Sequence, residues 1–302
     1  MNIRRQEGQA VLMTVLFLAG ILGMAALVLD VGSWFREKRQ LQASADAAAL
    51  AGAQALPGSP SNATTLALNY GAANGGGVLG ANVTISSDLS SNDTITVDAK
   101  STAPGFFSKI FGINVVDVGA SAAARAELPT EAEYVAPMVV SDQHPLLRGA
   151  GCPCFNQETT LAFDAMGAPG AFGMLNLDGG NGTVGTSEES DWILNGFDKF
   201  LPLGWYRSDP GAKFSSSLIQ GALQDRIGTV LLFPVFHVLT GNGQNAQYDI
   251  IGWVGFHLDD FSVHGNNATL DGSFTTFIAK GIQNSTSTNE PDFGVRTIQL
   301  IH

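Results

Sequence analysis

Cysteine is scarce, with two in 302 residues. That is too few for a disulfide-built scaffold or for a multi-cysteine zinc or iron–sulfur site. Cations are also few: fifteen Lys and Arg stand against 27 Asp and Glu, a formal net charge of −12. Such a balance argues against a nucleic-acid binder, which displaces counterions from phosphates with basic side chains. It equally argues against docking on anionic lipid through a basic face. Charged residues make up 14% of the chain, against about 25% in an average soluble protein. Familiar catalytic patterns are missing too. There is no Gly-x-Ser-x-Gly elbow, no Gly-x-x-x-x-Gly-Lys phosphate loop and no His-Glu-x-x-His pair. No enzyme, cofactor or metal is expected.

What the chain does have is one long apolar run. Ala10 to Leu29 is twenty residues with a single polar member, Thr14, and no charge. At about 1.5 Å per residue a helix of that length spans about 30 Å, one bilayer hydrocarbon core. A cleaved signal would carry a shorter apolar region with small residues directly after it. Here Asp30-Val-Gly-Ser-Trp34-Phe35-Arg36 follows, and Trp34 and Phe35 suit an aromatic interface belt. A membrane anchor over residues 9–35 is therefore expected. Residues 1–40 carry five bases and three acids, the remainder ten bases and 24 acids. Bases flank the run on both sides, so charge alone does not orient it. The acidic remainder, rich in Gly, Ser, Thr and Asn, reads as exported, which leaves the N-terminus, residues 1–8, in the cytoplasm.

The helix should continue past the membrane, since neither Pro nor more than one Gly interrupts Glu37 to Leu56. Leu41-Gln-Ala-Ser-Ala-Asp46-Ala-Ala-Ala-Leu50-Ala-Gly52-Ala is rich in the best helix former. Its small side chains would let other backbones approach closely. Partner helices and the helix's own domain are both candidates for that contact.

These residues carry a family resemblance. Glu7-Gly8-Gln9-Ala10 opening the apolar run, then Asp30-Val-Gly32, then the Leu41 to Ala53 segment, resembles the N-terminal region of TadE/TadG-like proteins of the Tad (Flp) pilus assembly system. The resemblance implies a structural, membrane-anchored role in pilus assembly, or a minor-pilin-like one. Asp30, Gly32, Leu41, Asp46, Ala48, Leu50 and Gly52 would then be helix-packing positions. The implied partners are the membrane and other pilus or secretion-system subunits, with a homo-oligomer left open. Pseudopilins of such systems carry Glu at the fifth position after the processing Gly. Here Gly8 is followed by Gln9-Ala-Val-Leu-Met13, so processing at Gly8 is not expected. Longer family members carry a metal-binding Asp-x-Ser-x-Ser domain; the nearest string, Asp88-Leu-Ser90-Ser91-Asn92, lacks the last Ser, and that domain is not carried over.

Beyond Pro57 the pattern changes. Asn62 to Tyr70 reads as a short helix, and Asn82 to Ser87 and Thr94 to Ala99 as a hairpin about Ser90 to Asp93. Ala103 to Phe111 reads as a small helix and Asn114 to Ala126 as a strand. This is the outline of a pilin-like α+β head over residues 36–127. Residues 128–133, acidic with a Pro, read as a linker. Residues 134–302 read as a β-rich exported domain. Its strand candidates are Val135–Val140, Phe172–Leu177, Val230–Leu239, Asp249–Asp259 and Phe274–Gly281, and its short helices Ser190–Asn195 and Ser215–Arg226. The fold class is thus α+β: a long transmembrane helix, a small α+β head and a β-rich C-terminal domain.

Within that last domain, Cys152-Pro-Cys154 suits a local disulfide; as a redox or metal pair it is one residue short of Cys-x-x-Cys. Asn176-Leu-Asp178-Gly-Gly-Asn181-Gly182 fails calcium-loop spacing and reads as a Gly-rich turn. Asp259-Asp260 reads as a solvated strand end. Of His144, His237, His257, His264 and His302, the second and third fall in strand candidates, where a satisfied structural His is expected. Trp192, Trp205, Tyr206 and Trp253 offer stacking platforms for a second reading, a membrane-tethered, adhesin-like binding module, although Trp in such a domain usually belongs to the core. Asn62, Asn82, Asn92, Asn181, Asn267 and Asn284 open Asn-x-Ser/Thr triplets that, in a bacterial chain, reflect a polar surface.

Overall fold

The computed structural model describes residues 4–164, 167–180, 183–209, 213–283 and 291–301. Asn181, Gly182, Asn284 and His302 lie outside them. The chain divides into two compact units: residues 1–126 with 298–302, and residues 127–297.

The first unit is built on α1 (Arg4–Ala53), a single helix of 50 residues. Its side chains from Val11 to Leu29 are almost all open to the surroundings, and it is the one described helix long and apolar enough to cross a membrane. From Leu41 onward the helix buries Leu41, Ala45, Ala48, Ala49, Gly52 and Ala53. The steps of three and four define one face of a 3.6-residue helix. That face meets α2 (Pro60–Ala73), which buries Ala63, Ala67 and Gly71 at a spacing of four. Small residues at the crossing bring the backbones close. A Cβ on Gly52 would stand 2.4 Å from Ile95 Cδ1 and 2.9 Å from the Ala63 carbonyl. The buried Ser44 hydroxyl donates into the same seam, 2.9 Å from the Gly71 carbonyl and 2.7 Å from that of Gly76.

Behind the helices lies an antiparallel sheet of β1 (Val78–Ser86), β2 (Thr94–Pro104) and β3 (Val115–Glu127). Ile95, Val97, Ala99 and Ala103 share the buried face of β2, the period-two pattern of a half-covered strand. The small helix read over Ala103–Phe111 is not formed as such. β2 runs on to Pro104, which pairs with Val115, and only Ser108–Phe111 closes as a 3-10 turn. The hairpin turn before β2 is held by Asp93, whose carboxylate accepts from the amides of Asp88, Leu89 and Ser90. Burial pushes the Asp93 pKa up, but those amide donors outweigh it and hold the carboxyl below its usual range.

The second unit opens with β4 (Pro129–Ala132), within the stretch read as a linker. Then come β5 (Met138–Ser141), α3 (Pro145–Arg148), β6 (Glu158–Phe163), β7 (Ala171–Met174), α4 (Thr186–Asn195), β8 (Leu201–Pro202), β9 (Gly204–Arg207) and α5 (Ser217–Arg226). The chain continues with β10 (Val230–Thr240), β11 (Gln247–His264), β12 (Asn267–Thr275), β13 (Phe277–Ile278), β14 (Gly281–Gln283) and β15 (Val295–Ile301). β15 contributes its first residues to this unit, pairing with β13, and its last to the first.

The large sheet runs β10-β5-β7-β6-β12-β11-β9, and β10 also pairs with β11. Six strands therefore close on themselves, leaving little free edge. The 18-residue β11 makes this closure. Its residues 247–257 pair with β10 on one side, and 255–264 pair with β12 on the other. The enclosed core is aromatic. Phe233 stacks on Phe256 with ring centres 5.2 Å apart, and Phe256 meets Phe274 edge-on at 5.5 Å. Phe172, Phe214, Leu161 and Leu223 fill the same cluster. The helix read over Ser215–Arg226 forms as α5 and the strand read over Val230–Leu239 as β10. β4, β8 and β14 form a separate antiparallel sheet.

Candidate functional site

The end of the apolar run is where the first unit is tied down. Asp30 is buried although it directly follows the apolar residues of α1. Its Oδ1 accepts from the Phe106 amide at 2.9 Å and its Oδ2 from the Ser108 amide at 2.6 Å; the Phe107 amide lies 3.1–3.2 Å from both. These three amides open the 3-10 turn at Ser108 and would otherwise lack partners, so the carboxylate acts as a cap supplied from 76 residues away. One turn further along α1, Trp34 donates its indole N–H to the Pro104 carbonyl at 3.2 Å. The side chain that follows Trp34 in the expected aromatic belt, Phe35, is 62% exposed.

The other positions singled out on α1 divide by face. Leu41, Ala48 and Gly52 are buried within their own unit, and Leu50 packs at its margin. Asp46 accepts from Gln42, whose side-chain amide also donates to the Ser121 carbonyl. Gly32 is open. The uncovered ridge of the outer helix runs instead through Gly32, Phe35, Arg36, Arg39 and Ala43, again at steps of three and four.

In the second unit Cys152 and Cys154 form a disulfide, in the loop after α3. Three of the histidines have side-chain partners. His144 is buried, caps α3 by accepting from the Leu146 amide, and stands edge-on to Phe274; burial lowers its pKa, which favours the neutral ring. His237 pairs with Asp142 at 2.8 Å and His257 with Asp259 at 2.9 Å. Asp178 folds back on its own turn, its carboxylate accepting from the Gly180 amide. Among the described residues no group of His, Cys, Asp and Glu is placed to hold a metal ion. Trp192 and Trp253 are core residues, whereas Trp205 is 51% exposed.

Two features of this unit were not read from the sequence. One is a buried charge cluster. Lys213 Nζ lies 2.6 Å from Asp209 Oδ2, 3.1 Å from Glu189 Oε2 and 2.5 Å from the Val184 carbonyl. Glu189 is almost fully enclosed. Burial raises its pKa to about 7, and the attraction of Lys213 only partly opposes this. The other is a cavity of about 460 Å³ lined by Tyr134, Trp192, Asn195, Arg226, Phe277 and Lys280 among others. Arg226 donates to the Leu194 and Val230 carbonyls, while its Nε is buried with no partner among the described residues. Lys280 pairs with Glu133 at 2.5 Å and lies over the rings of Tyr134 and Phe200. Neither feature has a local signature. Glu189, Asp209 and Lys213 come together only through the fold, as do the walls of the cavity.

Residues 8–55 match the family model for putative Flp pilus-assembly TadE/G-like proteins. No curated protein matches the chain, and no solved structure does. The family segment ends two residues past α1, so it comprises the apolar run, Asp30 and the Ala-rich packing face. Family match and apolar helix together support a pilus-related membrane protein with one N-terminal membrane-anchoring helix.

Proposed function

We propose that the chain is a structural subunit of a Tad-type pilus or secretion apparatus, anchored by residues 10–29 and working by helix packing rather than bond chemistry. The N-terminus lies in the cytoplasm, and the chain beyond residue 35 lies on the other side of the membrane. The observation that carries this reading is the continuity of α1. One unbroken helix runs from the apolar stretch into the first unit, and Asp30 locks that unit to the helix where the apolar residues stop. Displacement of the membrane helix is thereby coupled to the first unit, as an assembly component requires. Partner subunits are assigned to the open ridge at Gly32, Arg36, Arg39 and Ala43. Ala48 faces inward, so Ala48→Arg tests the folding of the unit, whereas Ala43→Trp tests assembly.

The experiment is mechanical shearing of cells carrying a C-terminal tag, with external protease applied to an unsheared sample. Protein in the sheared fraction places it in the filament. Full-length protein retained in the membrane, with its body cut by external protease, makes it a fixed anchor. Protection of the body from protease in spheroplasts would refute the orientation. Ala43→Trp is expected to leave export and membrane retention intact while assembly falls.

A second reading, a tethered binding module, is favoured by one observation: the cavity sets Arg226, with a buried N–H left to donate, beside aromatic rings, while Lys280 is held there by Glu133. That chemistry suits a carboxylated sugar. Binding of acidic but not neutral glycans by the full chain in detergent, lost in Arg226→Gln, would support it.

A further inference from the structure

The loop that Asp30 captures is unusual for a surface loop. Phe106, Phe107, Ile110, Phe111, Ile113 and Val115 all carry their side chains in the open, with Ile110 at 81% and Phe111 at 84% exposure. Six large apolar side chains within ten residues make a contiguous patch of the kind that marks an interaction surface. Its position is fixed from the membrane side. The twenty-residue apolar run ends at Leu29, and at about 1.5 Å per residue it fills the hydrocarbon core. Asp30 therefore stands at its boundary. The amides of residues 106–108 are hydrogen-bonded to that carboxylate, so the loop lies at the same level. Other exposed side chains fit this depth, with Phe35 five residues past Asp30 on α1 and Lys109 within the loop. Aromatic rings and a cation with an apolar stem are what the headgroup boundary accommodates. The opposite end of the unit differs. The hairpin turn at residues 87–93, about 30 Å away along the eleven residues of β2, is Ser-, Asn- and Asp-rich.

We propose that residues 106–115 form a second membrane contact: a loop that inserts Phe106, Ile110 and Phe111 into the interfacial layer beside the span, fixing the tilt and rotation of the first unit on the bilayer. The occupant of the patch is lipid, because the patch is continuous with the lipid-facing surface of α1. This rests on residues 10–29 crossing the membrane. Capping by Asp30 sets the loop's depth, and the side chains of the loop make the contact.

The test is photocrosslinking of the full chain in phosphatidylethanolamine–phosphatidylglycerol vesicles, with p-benzoylphenylalanine replacing Phe17, Phe111 or Ser90 in turn. Lipid adducts, read by mass spectrometry, are expected at 17 and at 111 in similar yield and not at 90. A second variant with the probe at Ile110 repeats the measurement should the first misfold. Adducts at 17 but not at 110 or 111 would overturn the loop contact and leave the span standing. Absence of adducts at 17 would remove the span, and the loop contact with it. Protein–protein adducts at 111 in place of lipid ones would assign the patch to a second copy of the chain and overturn the proposal.

Discussion

Glu189 is the place where protonation and stability are most directly linked. Its carboxyl is enclosed on α4, 3.1 Å from Lys213, and burial raises its pKa from 4.5 to about 7. In the unfolded chain it titrates near its ordinary value, so between these pH values the folded state binds more protons than the unfolded one. Stability from this group is therefore fully present below about pH 4.5 and is lost as pH rises through about 7. At about 1.4 kcal/mol per pH unit the loss amounts to about 3 kcal/mol. Glu189→Gln keeps the shape and a hydrogen-bonding oxygen for Lys213, whose charge retains Asp209 as a partner. The variant and the parent should therefore match near pH 4, where the carboxyl is largely protonated in both the folded and the unfolded chain. They should separate as pH rises, with the variant the more stable by up to about 3 kcal/mol at pH 8. The assay is denaturant unfolding of the detergent-solubilised chain followed by tryptophan emission. Trp192, Trp205 and Trp253 all lie in the second unit. Parallel curves for the two proteins from pH 5 to 8, or a variant that loses stability at pH 8, would refute the assignment of a raised pKa to Glu189.

Three further outcomes follow from the geometry. Gly52→Ala sets a methyl 2.4 Å from Ile95 Cδ1 and 2.9 Å from the Ala63 carbonyl; the overpacking should cost about 1–3 kcal/mol in unfolding experiments on the first unit. Asp30→Ala removes the acceptor of three amides, so hydrogen exchange at residues 106–108 should accelerate while that of β2 residues 95–99 stays slow. Replacing both Cys152 and Cys154 by Ser opens a ring over a single intervening residue; so short a closed loop constrains the unfolded chain little, and the loss should stay below about 2 kcal/mol by chemical denaturation.

Much of the first unit was legible because its signals are local. An uninterrupted apolar run gives the anchoring helix, Ala-rich sequence without Pro extends it, and strict alternation gives the β1–β2 hairpin. The order of its elements follows directly. Where the reading missed, the deciding contact was distant in the chain. Ala103 sits in a segment read as a small helix, yet it pairs with Val116 in a strand. The helical part begins only where a carboxylate from α1 caps it. In the second unit the segments around residues 230–239 and 249–259 announce themselves by β-branched and aromatic density. β6 and β12 do not, because both are short of large apolar side chains and Asn, Asp, Gly and Ser further dilute β12.

The sequence by itself determined that a helix long enough to cross a bilayer precedes an acidic, β-rich body, and that small residues line the helix beyond it. Composition and periodicity suffice for this, since each depends on neighbours within a turn or two of the chain. Only the tertiary structure decided which stripe of the Ala-rich helix is covered, that Asp30 caps a loop rather than facing another helix, and that six strands close into a ring. It alone gathered Glu189, Asp209 and Lys213 into one buried cluster. Each of these depends on the register between segments tens of residues apart, and register is set by how two surfaces fit when they meet, which no single segment carries.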